Sequence, residues 1–148
     1  MVQASPEKRS QNDILVVLVR SQLLILRILR ACAAAEELTL QQFGVLRYLS
    51  QKGIVPMGAL GDELGVTPPV ITGIIDRLET KGFVERKLSD DDRRRTDILL
   101  TERGKVSYRM VRESYRSSLQ RSLERSLSAS EQEKFGEFLS RFTAELYA

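Results

Sequence analysis

Between Leu60 and Gly82 the chain reads LGDELGVTPPVITGIIDRLETKG, and each residue type there meets a requirement of two short helices joined by a tight turn. Gly65 permits the turn, Thr67 suits an N-cap, and Pro68 and Pro69 fall in a first turn whose backbone donors have no intrahelical acceptor. Ile71, Ile74, Ile75 and Leu78 recur as a buried stripe, which leaves Pro68, Pro69, Thr72, Gly73, Asp76 and Arg77 on other faces. The chemistry open to such a helix start is contact with base edges in the major groove of DNA. Thr67 and Thr72 offer hydroxyls, Pro69 an apolar contact for a thymine methyl, and Arg77 a phosphate or guanine contact. Two plainer readings stand beside these: Thr67 only caps its helix, and Arg77 only pairs with an aspartate of the loop that follows.

That loop, Ser89-Asp90-Asp91-Asp92-Arg93-Arg94-Arg95, sets three acids beside three arginines. It is a poor metal site, because consecutive aspartates on an extended segment point apart and the arginines repel a divalent cation. Arginine at a hairpin tip has a clearer use. The minor groove concentrates negative potential, and a thin loop inserts a guanidinium there while neighbouring arginines hold phosphates. A solvated charge run is the alternative, and it loses weight directly after a helix-turn-helix.

Other chemistry is poorly provided for. The 148 residues include no histidine, the commonest general base, and one cysteine, Cys32, so no internal disulfide forms and the common zinc sites, with about four ligands, are lacking. No metal or cofactor is expected, and an enzyme is disfavoured because neither Asp90–Asp92 nor Cys32 has partners at useful spacing. Cys32 lies among alanines with no assured cation or base beside it, which favours a buried structural thiol over a reactive one. Composition is that of one ordinary folded domain, 42% hydrophobic and 29% charged with a net charge of +3. The middle, residues 61–104, holds 8 basic and 10 acidic groups, so a nucleic-acid surface there must be a local strip.

The elements that must position these residues follow from periodicity. Ile14 to Ala35 is apolar but interrupted by Arg20, Arg27 and Arg30, so it falls short of the roughly 20 residues that span a bilayer, and no membrane association is expected. The polar N-terminus carries no secretory signal, which predicts a cytoplasmic chain. The three arginines share one narrow arc of a helical wheel, and Leu15, Val16, Val19, Leu23, Leu24, Leu26 and Leu29 cover most of the rest. Such a helix is buried nearly all round, either in an intersubunit contact or at the centre of its own chain's core. Leu38 to Gln51 forms a second helix, capped by Thr39 and ended by Gly53, with Phe43, Val45, Leu46 and Leu49 inward. Helices Met57–Leu64 and Pro68–Lys81 follow, then two strands, Phe83–Leu88 and Thr96–Leu100, around the charged loop. A long helix opens at Thr101-Glu102-Arg103-Gly104 and carries Val111, Tyr115, Leu119, Leu123 and Leu127. A last one, about Ser130 to Tyr147, carries Phe135, Phe138, Leu139, Phe142 and Leu146, with Ser130 and Glu133 matching a capping box.

At two places the sequence resembles the MarR (multiple antibiotic resistance regulator) family of winged-helix transcription regulators. One is DRLETKGFVER, Asp76 to Arg86; the other is DDRRRTDILLTERG, Asp91 to Gly104, which holds the family's D-x-R and L-T-x-x-G as Asp92, Arg94, Leu100, Thr101 and Gly104. The resemblance implies a mainly α fold with a small β-hairpin wing, a winged helix-turn-helix at about 38–101 flanked by dimerisation helices at about 11–35 and 102–147. It implies a homodimer on a pseudo-palindromic double-stranded DNA site, a repressor relieved by a small-molecule or oxidant signal. The DNA-contacting set is then Thr67, Pro68, Pro69, Thr72, Arg77, Asp92, Arg93, Arg94 and Arg95, with Arg94 in the minor groove and Asp92 orienting Arg77 or the wing. Many relatives respond to small aromatic compounds; Tyr108, Arg112, Tyr115, Phe43 and Arg47 are candidates for such an effector site, although aromatics at helical spacing are more often core. Gly73 and the two prolines depart from the larger polar residues of many relatives, so direct readout is sparse and specificity is expected to lean on the wing and DNA shape. The alternative function is a dimeric winged-helix adaptor that binds protein instead of DNA.

Overall fold

The computed structural model describes residues 13–89 and 95–146. Asp92, Arg93 and Arg94 of the expected DNA-contacting set lie outside the described residues, as do Asp90, Asp91, the first positions of the expected N-terminal helix and Tyr147.

Helix α1, Ile14–Ala35, starts where the Asp13 carboxylate accepts the Leu15 N–H at 2.9 Å. Of its residues only Ala33 is buried; Leu15, Val19, Leu23 and Leu24 are each more than half exposed. The reading that placed this helix at the centre of its own chain's core is therefore overturned. Only its C-terminal part packs, against the long helix described below.

Helix α2, Leu40–Lys52, opens with a full capping box: Thr39 Oγ1 accepts the Gln42 N–H at 3.2 Å, and the Gln42 side chain accepts the Thr39 N–H at 3.0 Å. Phe43, Val45, Leu46 and Leu49 are buried as their spacing predicts. Gly53 closes the helix at φ +78°, in a region that L side chains rarely adopt.

Then come β1 (Val55–Pro56), α3 (Met57–Leu64), α4 (Pro68–Thr80), β2 (Val84–Leu88) and β3 (Thr96–Leu100). The strands form an antiparallel sheet ordered β1-β3-β2, with Val55 and Arg86 on either side of Ile98 and Val84 opposite Leu100. The sequence predicts a hairpin alone; β1 is a third strand, too short to show alternation and ending in a proline that only an edge position tolerates. Ile98, on the central strand, joins Leu46, Leu49, Leu60, Ile71, Ile75 and Leu78 in one core.

Helix α5, Glu102–Ser126, begins at Thr101, whose hydroxyl accepts the Gly104 N–H at 3.0 Å and donates to the Gly82 carbonyl at 2.7 Å. Gly104 lies so close to the backbone leading into β2 that a Cβ would sit 1.9 Å from the Phe83 carbonyl oxygen. The L-T-x-x-G motif thus welds the end of the wing to the start of the long helix. Helix α6, Ala129–Leu146, has no buried residue. Its start is secured by Ser128 and Glu131, whose carboxylate accepts the Ser128 N–H at 2.8 Å and its hydroxyl at 2.7 Å. The predicted pair Ser130 and Glu133 is corrected to Ser128 and Glu131, the S-x-x-E two residues earlier: the chain leaves the preceding helix at Leu127, and the Glu131 carboxylate accepts the N–H and hydroxyl of the next residue.

Candidate nucleic-acid interface

Helix α4 is seated by Ile71, Ile74, Ile75 and Leu78, all buried as expected, and this pins its orientation. The turn before it is tight because Gly65 sits at φ +61° and the Val66 N–H returns to the Gly61 carbonyl at 3.0 Å. The opposite side of its first turn, Thr67, Pro68, Pro69 and Val70, is exposed.

Thr67 occupies the N-cap position, but its side chain makes no cap hydrogen bond, which corrects the reading of Thr67 as a capping group. Pro68 and Pro69 carry no N–H, and the first available donor, Val70, bonds the Thr67 carbonyl at 3.0 Å instead. The hydroxyl is left to solvent or a ligand. Thr72 differs: its O–H donates to the Pro68 carbonyl at 2.8 Å, so it offers only acceptor lone pairs and a methyl. Gly73 has open space where a side chain would be.

Arg77 is exposed and makes no ion pair with any described residue. The pairing that holds this helix to the wing is one that the sequence does not announce. Arg86 on β2 donates through Nη2 to Asp76 Oδ1 at 2.6 Å and through Nη1 to the Glu79 carboxylate. The hydrogen bond to Asp76 and the attraction of both carboxylates hold the Arg86 guanidinium above its ordinary pKa against the cost of burial. Two of the acids in the acidic middle segment are thereby neutralised on α4, while Arg77 has no ion-pair partner among the described residues. At its far end α4 is tied down again, where Lys81 Nζ donates to the Glu37 carbonyl.

At the wing's base the Ser89 N–H bonds the Arg95 carbonyl at 3.0 Å. The Arg95 side chain is half exposed and reaches Asp97 at 3.9 Å. Asp97 Oδ1 is buried without a hydrogen-bond partner among the described residues, so Arg95 is its nearest described counter-charge.

Behind the wing, a cleft of about 490 Å³ opens between α2, β3 and α5. Of the five candidates for an effector site, it gathers Tyr108 and Arg112, and adds Lys105, Arg109, Ile54 and Leu99. Phe43 is buried, stacked on Tyr108 with ring centroids 5.7 Å apart. Arg47 and Tyr115 do not line the cleft; burial, and then Cys32 of α1, push the Tyr115 phenol up. Cys32 itself is half-buried instead of buried, and accepts the Ser114 O–H at 3.5 Å.

Residues 38–96 match the MarR family model. Among its relatives, the HTH-type transcriptional regulator YfiV of Bacillus subtilis is 36% identical over 73 residues, 49% of this chain and 46% of that protein. The HTH-type transcriptional regulator FarR of Neisseria gonorrhoeae is 27% identical over 73% of this chain and 74% of its own. The chain thus spans less than half of the first relative's length and about three-quarters of the second's. The solved structure of a MarR family protein from Bacillus stearothermophilus shares the fold with a TM-score of 0.83 over 95% of this chain and 98% of its own, at 23% identity. The MarR-family motif Asp76 to Arg86 begins and ends on the ion pair that joins α4 to the wing, and its second motif ends on the Gly104 contact. The fold, mostly helical with a small antiparallel sheet, is the winged helix seen in that solved MarR family structure.

Proposed function

We propose that the chain is a sequence-specific, double-stranded-DNA-binding repressor that acts in the cytoplasm as a homodimer on a pseudo-palindromic promoter site. One observation carries the reading: the first turn of α4, Thr67 to Val70, is exposed and backed by a rigid buried stripe. Thr67, Pro68, Pro69, Thr72 and Arg77 contact the major groove; Arg93, Arg94 and Arg95 serve the minor groove and phosphates, with Asp92 orienting the wing. The relatives named as regulators and repressors support this assignment.

The dimer reading rests on two exposed apolar faces. Leu15, Val19, Leu23 and Leu24 of α1, and Phe135, Phe138, Phe142 and Leu146 of α6, are surfaces that a second copy would cover. The winged unit at 38–101 and dimerisation segments at 11–35 and 102–147 follow from this division. A small aromatic effector bearing an anion suits the cleft, which Lys105, Arg109 and Arg112 line together with Tyr108, and its binding would release DNA by favouring another spacing of the two lobes.

The test is recovery and sequencing of genomic fragments bound by the full chain at about 0.15 M salt, with Arg94→Ala as control. Enrichment of a short inverted repeat, abolished in the variant, is the expected result. A folded dimer that enriches nothing would move the assignment to a protein-binding adaptor.

A further inference from the structure

The outward surface of α4's first two turns is unusual in what it lacks. From Pro68 to Ile75 no side chain carries an amide, a guanidinium, an ammonium or a carboxylate. The first charged groups are Asp76, already committed to Arg86, and Arg77. Hydrogen-bonded readout in the major groove needs such long polar groups: Asn or Gln for adenine, Arg or Lys for guanine, Asp or Glu for cytosine. Thr72 has spent its only donor on the Pro68 carbonyl.

What the surface offers is hydrocarbon. Pro68, Pro69 and Val70 are consecutive and exposed, Val70 by 44%, and the Thr72 methyl lies one turn on. Gly73 beside them leaves open space for close approach. Single exposed apolar residues are ordinary. Three in a row on the one turn that a helix-turn-helix inserts between phosphates are not explained by the chain's own core, because Ile71 and Ile74 already fill it. In the major groove only one base-edge group is apolar, the C5 methyl of thymine.

We propose that Val70, seated beside Pro69, is a specificity-determining residue that reads a thymine methyl group in each half-site. The proposal rests on the DNA-binding reading above, and its test separates the two. The full chain is titrated against its recovered site and against copies in which each thymine in turn is replaced by deoxyuridine, which removes the methyl and keeps every hydrogen bond of the base pair. Burial of one methyl corresponds to about a fourfold change in affinity. A loss of about that size is expected at one or two positions per half-site, and it should shrink towards none in Val70→Ala, an exposed substitution that leaves the core untouched. Placing 5-methylcytosine in a site weakened by thymine-to-cytosine exchange should restore part of the loss for the wild type alone. Uniform tolerance of deoxyuridine at a site that is bound specifically would overturn the proposal, as would a penalty that persists undiminished in Val70→Ala. Absence of binding to the unmodified site would instead defeat the DNA-binding reading itself.

Discussion

Arg86 shows how one side chain fastens two separate elements into a single surface. Its guanidinium joins Asp76 and Glu79, one helical turn apart on α4, to the middle of β2. Asp76 and Glu79 are substantially exposed, so the pairs contribute about 1 kcal/mol or less to stability. Their effect on position is larger, because two bonds set the angle between recognition helix and wing. Arg86→Gln is expected to lower DNA affinity at least tenfold while shifting the urea midpoint only slightly; equal losses in both would show that the residue serves stability alone. Gly104 and Gly73 make an opposite pair of cases. Gly104→Ala forces a Cβ onto the Phe83 carbonyl and should cost at least about 3 kcal/mol, read as a fall in unfolding free energy. Gly73→Ala adds a methyl to open space inside a helix and should stabilise the fold by about 0.5–1 kcal/mol by the same measurement. The motif spelled out Gly104; only the distance to Phe83 says why alanine is forbidden there.

Among the elements, α6 is the one whose start depends most visibly on a titratable group. Hydrogen bonds from the Ser128 hydroxyl and N–H hold the Glu131 carboxyl below its ordinary range. A depressed folded pKa means that this contribution is complete above the unfolded value of about 4.3 and fades as pH falls through the lower folded value. Exchange of the Ser128 amide hydrogen, corrected for its intrinsic pH dependence, should therefore quicken on acidification below about pH 4. In Glu131→Gln that acid-dependent step should vanish; its persistence would place the titrating group elsewhere. The elements also differ in how plainly the sequence announced them. Helix α2 and the α3-turn-α4 unit were legible because caps, glycines and apolar periodicity agree at each boundary. The strand Val55–Pro56 was not, because two residues carry no period and its existence depends on β3 arriving alongside.

At the scale of the whole molecule the unbalanced feature is apolar surface. Phe138 is 62% exposed and Leu146 69%, on a helix with no buried residue, and Leu23 is 63% exposed on the part of α1 ahead of its packed C-terminal end. The expected outcome is a dimer in sedimentation equilibrium at micromolar concentration. Phe138→Glu combined with Leu23→Glu should yield a monomer whose winged core unfolds at nearly the same denaturant concentration, and which binds a full inverted repeat far more weakly. A double variant that stays dimeric would move the interface off these faces. Salt dependence tests the wing arginines at the same scale. Each phosphate neutralised by a cationic side chain adds about 0.9 to the steepness with which log affinity falls against log salt, so Arg95→Ala should make that dependence shallower by about one. An unchanged slope would take Arg95 off the phosphates.

The sequence by itself determined the winged helix-turn-helix fold, because that depends on local rules: proline at a helix start, glycine at a turn, apolar residues every three or four positions. It also determined that the terminal helices are too apolar to stand alone. Tertiary structure decided how the charges pair and which polar groups are spent. That Arg86 takes Asp76 and Glu79, that Thr72 is tied back while Thr67 is not, and that Phe43 stacks behind a cleft built from Tyr108 and Arg112 all depend on distances between elements. Periodicity reports which face a residue occupies along its own helix. It carries no record of what another element brings to that face, and the choice among competing partners is made only when the chain has folded.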